Sequence, residues 1–208
     1  MLQFLQGDDF MRYLCQFDYR DIPYRTRTEM DGAMYEYGLT STVASSGCGL
    51  CSAVMMLDRL IPNSDFGPVD ARDFSYELGA NHRKGTDYKI FAPALAERFG
   101  LQLEMTSDID RLKYCLRTGG AAVAHISGNR EGYTGVFSKG GHYVAVVGEE
   151  EDGRIAVLDP SFKEGKYEEE GRQGKVELKN GVIALCAPET LVEDTANRTT
   201  SFYLFWRR

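Results

Sequence analysis

The sequence predicts an α+β fold in which N-terminal helices pack on a C-terminal antiparallel sheet. Two observations carry that expectation. From Gly49 to Arg117 the apolar residues recur at helical spacing in segments closed by proline or glycine. After Gly120 the texture changes to short β-branched runs separated by Gly, Asp and Glu clusters, the pattern of strands joined by turns. Helices first and strands later imply segregated halves.

Residues 1–40 are mixed and aromatic-rich, and within them Leu2 to Phe17 admits a helix. "ASSGCG" reads as a loop. From Gly49 to about Leu60, Leu50, Ala53, Val54 and Leu57 share one helical face, and Pro62 stops the run. A second helix is predicted from Asp87 to Phe99, with Thr86 as N-cap, Gly100 as terminator and Pro93 as an internal kink. A third runs from about Asp108 to Arg117, started by the capping box "SDID" and stopped at Gly119. The predicted strands are "AAVAHIS", "HYVAVVG", "RIAVLD", "KVELK" and "VIALCA", and the carboxylate runs Glu149–Asp152 and Glu168–Glu170 read as solvated turns.

At 208 residues the chain is expected to form one domain, 1–208, with a core over 37–208 and an N-terminal segment, 1–36, of no assigned structure. A content of 43% hydrophobic residues supports a packed core and excludes a disordered chain. The net charge of −7 argues against a nucleic-acid partner. No apolar stretch approaches the ~20 residues that cross a membrane, so no membrane partner is expected. The opening "MLQFLQGDDFMRYLCQ" has acidic residues where a signal peptide carries basic ones, so the chain as given reads as cytoplasmic. Five cysteines without framework spacing fit reduced thiols, and Cys15, Cys115 and Cys186 read as small buried hydrophobes.

"SSGCGLCSAVMMLDRL", residues 45–60, holds the chemistry-bearing signal. Its CxxC spacing fits a dithiol redox pair or half of a zinc site. There is no second CxxC, and His82, His125 and His142 are scattered, which counts against zinc. A polar, loop-like lead-in counts against a thioredoxin-type site. As a nucleophile Cys48 fares better. Gly47 and Gly49 keep its flanks bare, and a helix starting beside it stabilises a thiolate through unpaired N–H groups and the positive dipole end. Cys51, one turn in, is assigned to packing.

A thiolate needs an acid–base partner and an orienting group. His142 opens a strand after Gly140 and Gly141, and Asp159 closes the next strand. A tight turn at Asp152–Gly153 would set Asp159 opposite Val146, about 13 Å along the strand from His142. Bringing the two together requires a wider acidic loop or a bulge. His125 is a second candidate for the same role, otherwise a core histidine, and His82 reads as an exposed loop residue.

The order "SSGCGLCSAVMML", "GTDYKIFAPALAERFGL", "GVFSKGGHYVAVVGEEEDGRIAVLDP" resembles the papain-like cysteine peptidases of the bacteriocin-processing, double-glycine leader type, nearest to their stand-alone C39-like branch, over about Tyr37 to Phe162. The resemblance implies a papain-like fold with Cys48 as nucleophile at a helix N-terminus, His142 as general base and then acid, and Asp159 as orienter. It implies no cofactor and no metal. In that family a glutamine about six residues before the Cys donates to the oxyanion. Here Thr42 holds the position, so the oxyanion donors expected are Thr42 or a backbone N–H, together with Cys48 N–H. The family's leader peptidases are fused to membrane transporters, and this chain has no such segment. The function expected is a cysteine hydrolase cleaving a peptide or small amide substrate through a thioester. The alternatives are a non-catalytic binding module on the same fold and a dithiol oxidoreductase using Cys48 and Cys51. The oligomeric state is not encoded legibly.

Overall fold

The computed structural model describes residues 2–6, 9–26, 29–30, 33–34, 40–82 and 85–208. The chain does not begin with a helix. Strands β1 (Leu2–Gln6) and β2 (Asp9–Tyr13) form an antiparallel hairpin, and a 3-10 turn follows at Gln16–Asp18. The described side chains show why: Met11 and Tyr13 are buried while Arg12 between them reaches Asp58 with Nε and Nη2, both at 2.6 Å. That is a two-residue period, and Gly7-Asp8 in the sequence between the strands disfavours a continuous helix. The short pair β3 (Glu29–Met30) and β4 (Ala33–Met34) comes next.

A one-turn helix, α1 (Val43–Ser46), leads through Gly47 into α2 (Cys48–Leu60), a residue earlier than its apolar pattern suggests. Gly49 through Asp58 are all buried, so α2 is a central helix rather than an amphipathic surface one. Helix α3 (Pro68–Glu77), which the sequence did not announce, and the pair β5 (Asn81–His82) and β6 (Gly85–Thr86) follow. Helix α4 (Tyr88–Arg98) is capped by Asp87 and not by Thr86: Asp87 Oδ1 accepts from Lys89 N at 3.0 Å, and the helix runs on through Pro93. Strand β7 (Leu101–Thr106) precedes α5 (Ile109–Arg117), whose cap is Asp108, with Oδ1 accepting from Asp110 N at 2.8 Å. Asp outcompetes Thr86 and Ser107 here by lying one residue nearer the first turn, with a charge that suits the helix dipole.

The predicted strands form as β8 (Ala121–Ile126), β9 (His142–Glu149), β10 (Ile155–Leu158), β11 (Val176–Lys179) and β12 (Ile183–Cys186), and helix α6 (Pro188–Asp194) and strand β13 (Phe202–Arg207) complete the chain. One antiparallel sheet of order β11-β12-β10-β9-β8-β13-β7 results. Helices cover both of its faces. Tyr143, Ala145 and Val147 of β9 pack with α2 and α4 on one side; Val144 and Val146 pack with Leu112, Leu116 and Leu191 of α5 and α6 on the other. The halves are thus less segregated than expected, because β7 and α6 fall outside the helix-then-strand order.

Two features aim β9. Asp194, fully buried, accepts from Val136 N and Phe137 N at 2.8 Å each and from Tyr133 OH at 2.6 Å, which anchors the loop before the strand. Gly128 in the same loop has φ of 92° and lies so near Gly140 that a Cβ there would come within 2.6 Å of its backbone. Only glycine serves at that position.

Candidate active site

Cys48 is the first residue of α2 and is half-buried. The glycines on either side are demanded by packing rather than by access. A Cβ on Gly47 would stand 2.6 Å from the Val43 carbonyl oxygen, and one on Gly49 would stand 3.0 Å from the Tyr88 ring. Tyr88 OH also donates to Gly49 O at 2.6 Å, fixing the start of α2 against α4. His142 and the N–H groups of Tyr143 and Gly49 favour the thiolate at Cys48 through charge and hydrogen bonding. Burial acts to raise the thiol pKa, but the His142 charge and these hydrogen bonds outweigh it and hold the thiol below its ordinary value.

His142 and Asp159 meet because the β9–β10 hairpin departs from the tight Asp152–Gly153 turn. The loop closes with Glu150 N donating to Arg154 O at 2.8 Å, and Ile155 pairs with Glu149. A bulge between Ala156 and Val157 then moves the register by one, so that Val157 faces Val146 and Leu158 faces Ala145. Continued by one step, the register sets Asp159 beside Val144, two residues from His142 on the same face. The side chains close that gap: His142 Nε2 and Asp159 Oδ1 are 2.8 Å apart. Nδ1 is left for the thiol. Burial disfavours the imidazolium, yet Cys48 and Asp159 together raise the His142 pKa above its ordinary value.

Asp159 is fully buried, and every lone pair is engaged. Oδ1 accepts from Ser161 N at 2.9 Å and Ser161 Oγ at 3.0 Å in addition to His142, while Oδ2 accepts from Tyr167 OH at 2.9 Å and from the Lys166 ammonium. Ser161 Oγ also lies 3.1 Å from His142 Nε2. Burial would raise the Asp159 pKa; Lys166 and His142 hold it far below the carboxylate range instead. From the other side Tyr13 OH donates to Asp159 O and Gln16 N to Pro160 O, both at 2.8 Å, so the N-terminal hairpin braces the loop. Sequence reasoning did not single out Ser161, Lys166 or Tyr167. Their only signal is position, within eight residues after Asp159.

The remaining candidates stand apart. His125 stacks on Tyr143 with ring centroids 4.4 Å apart, and burial with nearby Arg198 and Lys89 pushes its pKa down to about 3. His82, half-buried in β5, lines the same cleft of about 450 Å³ that exposes Cys48 and His142, so it is not the free loop residue expected. Thr42 caps α1, with its N–H donating to Ser45 Oγ at 2.9 Å, and does not line that cleft. Cys51 is fully buried, and desolvation drives its thiol pKa far upward. The described arrangement can therefore carry an ion pair of thiolate and imidazolium, with the imidazole held from behind by a carboxylate.

Neither a family model nor a curated protein matches the sequence. Among solved structures the chain is similar to a candidate C39-like peptidase from Bacillus anthracis, at 11% identity and a TM-score of 0.50, over 78% of this chain and 89% of that one. At that identity the likeness is one of fold: helices combined with an antiparallel sheet, arranged as in a C39-like peptidase structure. No helix among the described residues is long and apolar enough to cross a membrane.

Proposed function

We propose that the protein is a cysteine hydrolase of papain-like fold that cleaves a peptide or other amide bond through a thioester at Cys48. The observation that supports this best is the His142 imidazole held at 2.8 Å by the buried Asp159 carboxylate in the same cleft that exposes Cys48. In this reading the Cys48 thiolate attacks the carbonyl carbon, and His142 gives its proton to the leaving amine as the tetrahedral intermediate collapses to a thioester. Water, deprotonated by the same imidazole, then releases the acyl group. Asp159 keeps Nε2 engaged so that Nδ1 faces the sulfur. N–H groups in the first turn of α2, Cys48 N–H among them, receive the developing oxyanion, a role that Thr42 is poorly placed to share. The fold likeness to a C39-like peptidase candidate supports the same class.

A dithiol mechanism is disfavoured by Cys51, whose buried thiol has no group to make it a thiolate. Brief iodoacetamide labelling near pH 6, read by mass spectrometry, tests the proposal. Cys48 should carry the adduct well before Cys15, Cys51, Cys115 or Cys186, because only a thiolate attacks at a pH about two units below an ordinary thiol pKa. Labelling of Cys48 only above about pH 8 would remove the nucleophile. A reactive Cys48 with no amide hydrolysis that Cys48→Ala abolishes would remove the hydrolase.

A further inference from the structure

The cleft beside Cys48 is unbalanced in charge. Among the described residues the ionisable groups facing it, besides Cys48 itself, are His82, Asp87, Lys89, His125, His142, Tyr143 and Arg198. Asp87, the one carboxylate lining it among the described residues, caps α4 through Lys89 N. Among the described residues neither Lys89, exposed in the first turn of α4, nor Arg198 has a carboxylate partner.

Arg198 is held in place rather than loose. It follows Asn197, whose φ of 68° turns the chain from α6 toward β13, and its Nη2 donates to Ile126 O at 2.5 Å. The guanidinium lies over Gly141, where a Cβ would come within 3.1 Å of Nη2, so it sits at the residue preceding His142, and both side chains line the cleft. Its Nε is buried and finds no acceptor among the described residues. Burying part of a cation without a counter-ion is unfavourable, and a substrate anion would offset it. A planar guanidinium with free N–H groups suits a carboxylate through two parallel hydrogen bonds. His125 adds no competing charge, because burial and the two cations keep it neutral.

We infer that this cleft selects substrates carrying a carboxylate next to the scissile amide, bound by Arg198 with Lys89 at the rim; the inference rests on Cys48 being the reactive thiol. The leaving amine departs on the imidazole side, where Arg198 stands, so the carboxylate belongs to the leaving portion of the substrate.

Two alkylating agents of nearly equal size, iodoacetate and iodoacetamide, test this on the full chain. The readout is the ratio of their second-order rates at Cys48, divided by the same ratio for a free cysteine peptide. A charged hydrogen bond to Arg198 should raise the normalised ratio about tenfold or more. Arg198→Gln should remove most of that gain and Lys89→Gln a smaller part, and salt should erode both. The imidazolium attracts iodoacetate in every variant, so the difference between variants reports the two cations alone. Lys89 is exposed, so its variant keeps the test valid if Arg198→Gln fails to fold. A ratio unchanged in both variants, with iodoacetamide labelling of Cys48 near pH 6 intact, overturns the inference and leaves the nucleophile standing. Failure of iodoacetamide to label Cys48 in the parent protein overturns both. Matched peptides with Asp or Asn on the leaving side of the amide should differ in kcat/KM by about tenfold to a hundredfold in favour of Asp, and equal values would refute the carboxylate.

Discussion

Replacing Asp159 by Asn should be far more damaging here than the loss of one charge suggests. Papain-like enzymes commonly hold their histidine with Asn, so the resemblance alone predicts a mild change. The structure predicts otherwise, because Asp159 also answers the Lys166 ammonium, and the two side chains are 1% and 9% exposed. An asparagine would preserve the contact to His142 but leave Lys166 buried without a counter-ion. Removing one partner of a buried pair costs about 3–5 kcal/mol, and neither charge here has the exposure that would discount it. Asp159→Asn/Lys166→Met, which removes both charges and keeps the volume, should recover most of that loss. Urea unfolding followed by circular dichroism measures both variants. Because Asp159 titrates below its unfolded value of about 3.9, its contribution is present above that pH and fades below it, so the gap between parent and Asp159→Asn should narrow in acid. A loss under about 1 kcal/mol for Asp159→Asn, or a double variant no more stable than the single, would refute the argument.

Three further outcomes follow from the site. His142→Ala should move the pH for Cys48 alkylation upward, since the imidazole that contributes most against burial is lost; His125→Ala should leave the profile unchanged, and the reverse pattern in a rate-against-pH series would exchange their roles. Cys51→Ser should keep Cys48 labelling while lowering stability by about 1–3 kcal/mol, the cost of burying a hydroxyl without a partner, as read by denaturant unfolding. Gly128→Ala should cost about 1–3 kcal/mol for its left-handed backbone alone, and more from the clash with Gly140; hydrolysis should fall with it, because that contact aims the strand bearing His142.

What the sequence disclosed and what it concealed divide along the range of the interactions. The Cys48 helix and the five strands after Gly120 were legible, since apolar period and β-branched runs are local signals. The N-terminal hairpin was not, because Leu2 to Phe17 carries apolar residues compatible with either period. Strand β13 was overlooked although "FYLFWR" is strand-like, and the edge strand β7 alternates too weakly to declare itself. Of the proposed site, Cys48, His142 and Asp159 could be named from residue type and order, whereas Lys166, Tyr167 and Arg198 could not. Each of these acts across a loop or between sheet and helix, and such contacts leave no spacing to read.

The register of one hairpin shows the limit most clearly. Residue types alone favoured a tight Asp152–Gly153 turn, which separates His142 from Asp159 by about 13 Å. The chain instead uses a wider acidic loop and then a bulge after Ala156, and each slips the pairing by one residue in the same direction. A single slip would turn Asp159 to the opposite face from His142, because side chains alternate along a strand. Two slips restore the face and bring the carboxylate one pair nearer. Local propensity therefore yields to the sheet here, and what compensates it lies behind Asp159: Ser161, Lys166 and Tyr167 bond its carboxylate, and Tyr13 bonds its carbonyl. Those bonds hold Asp159 where the slipped register places it. The carboxylate that contacts His142 is thus also the anchor of the network that compensates the bulge.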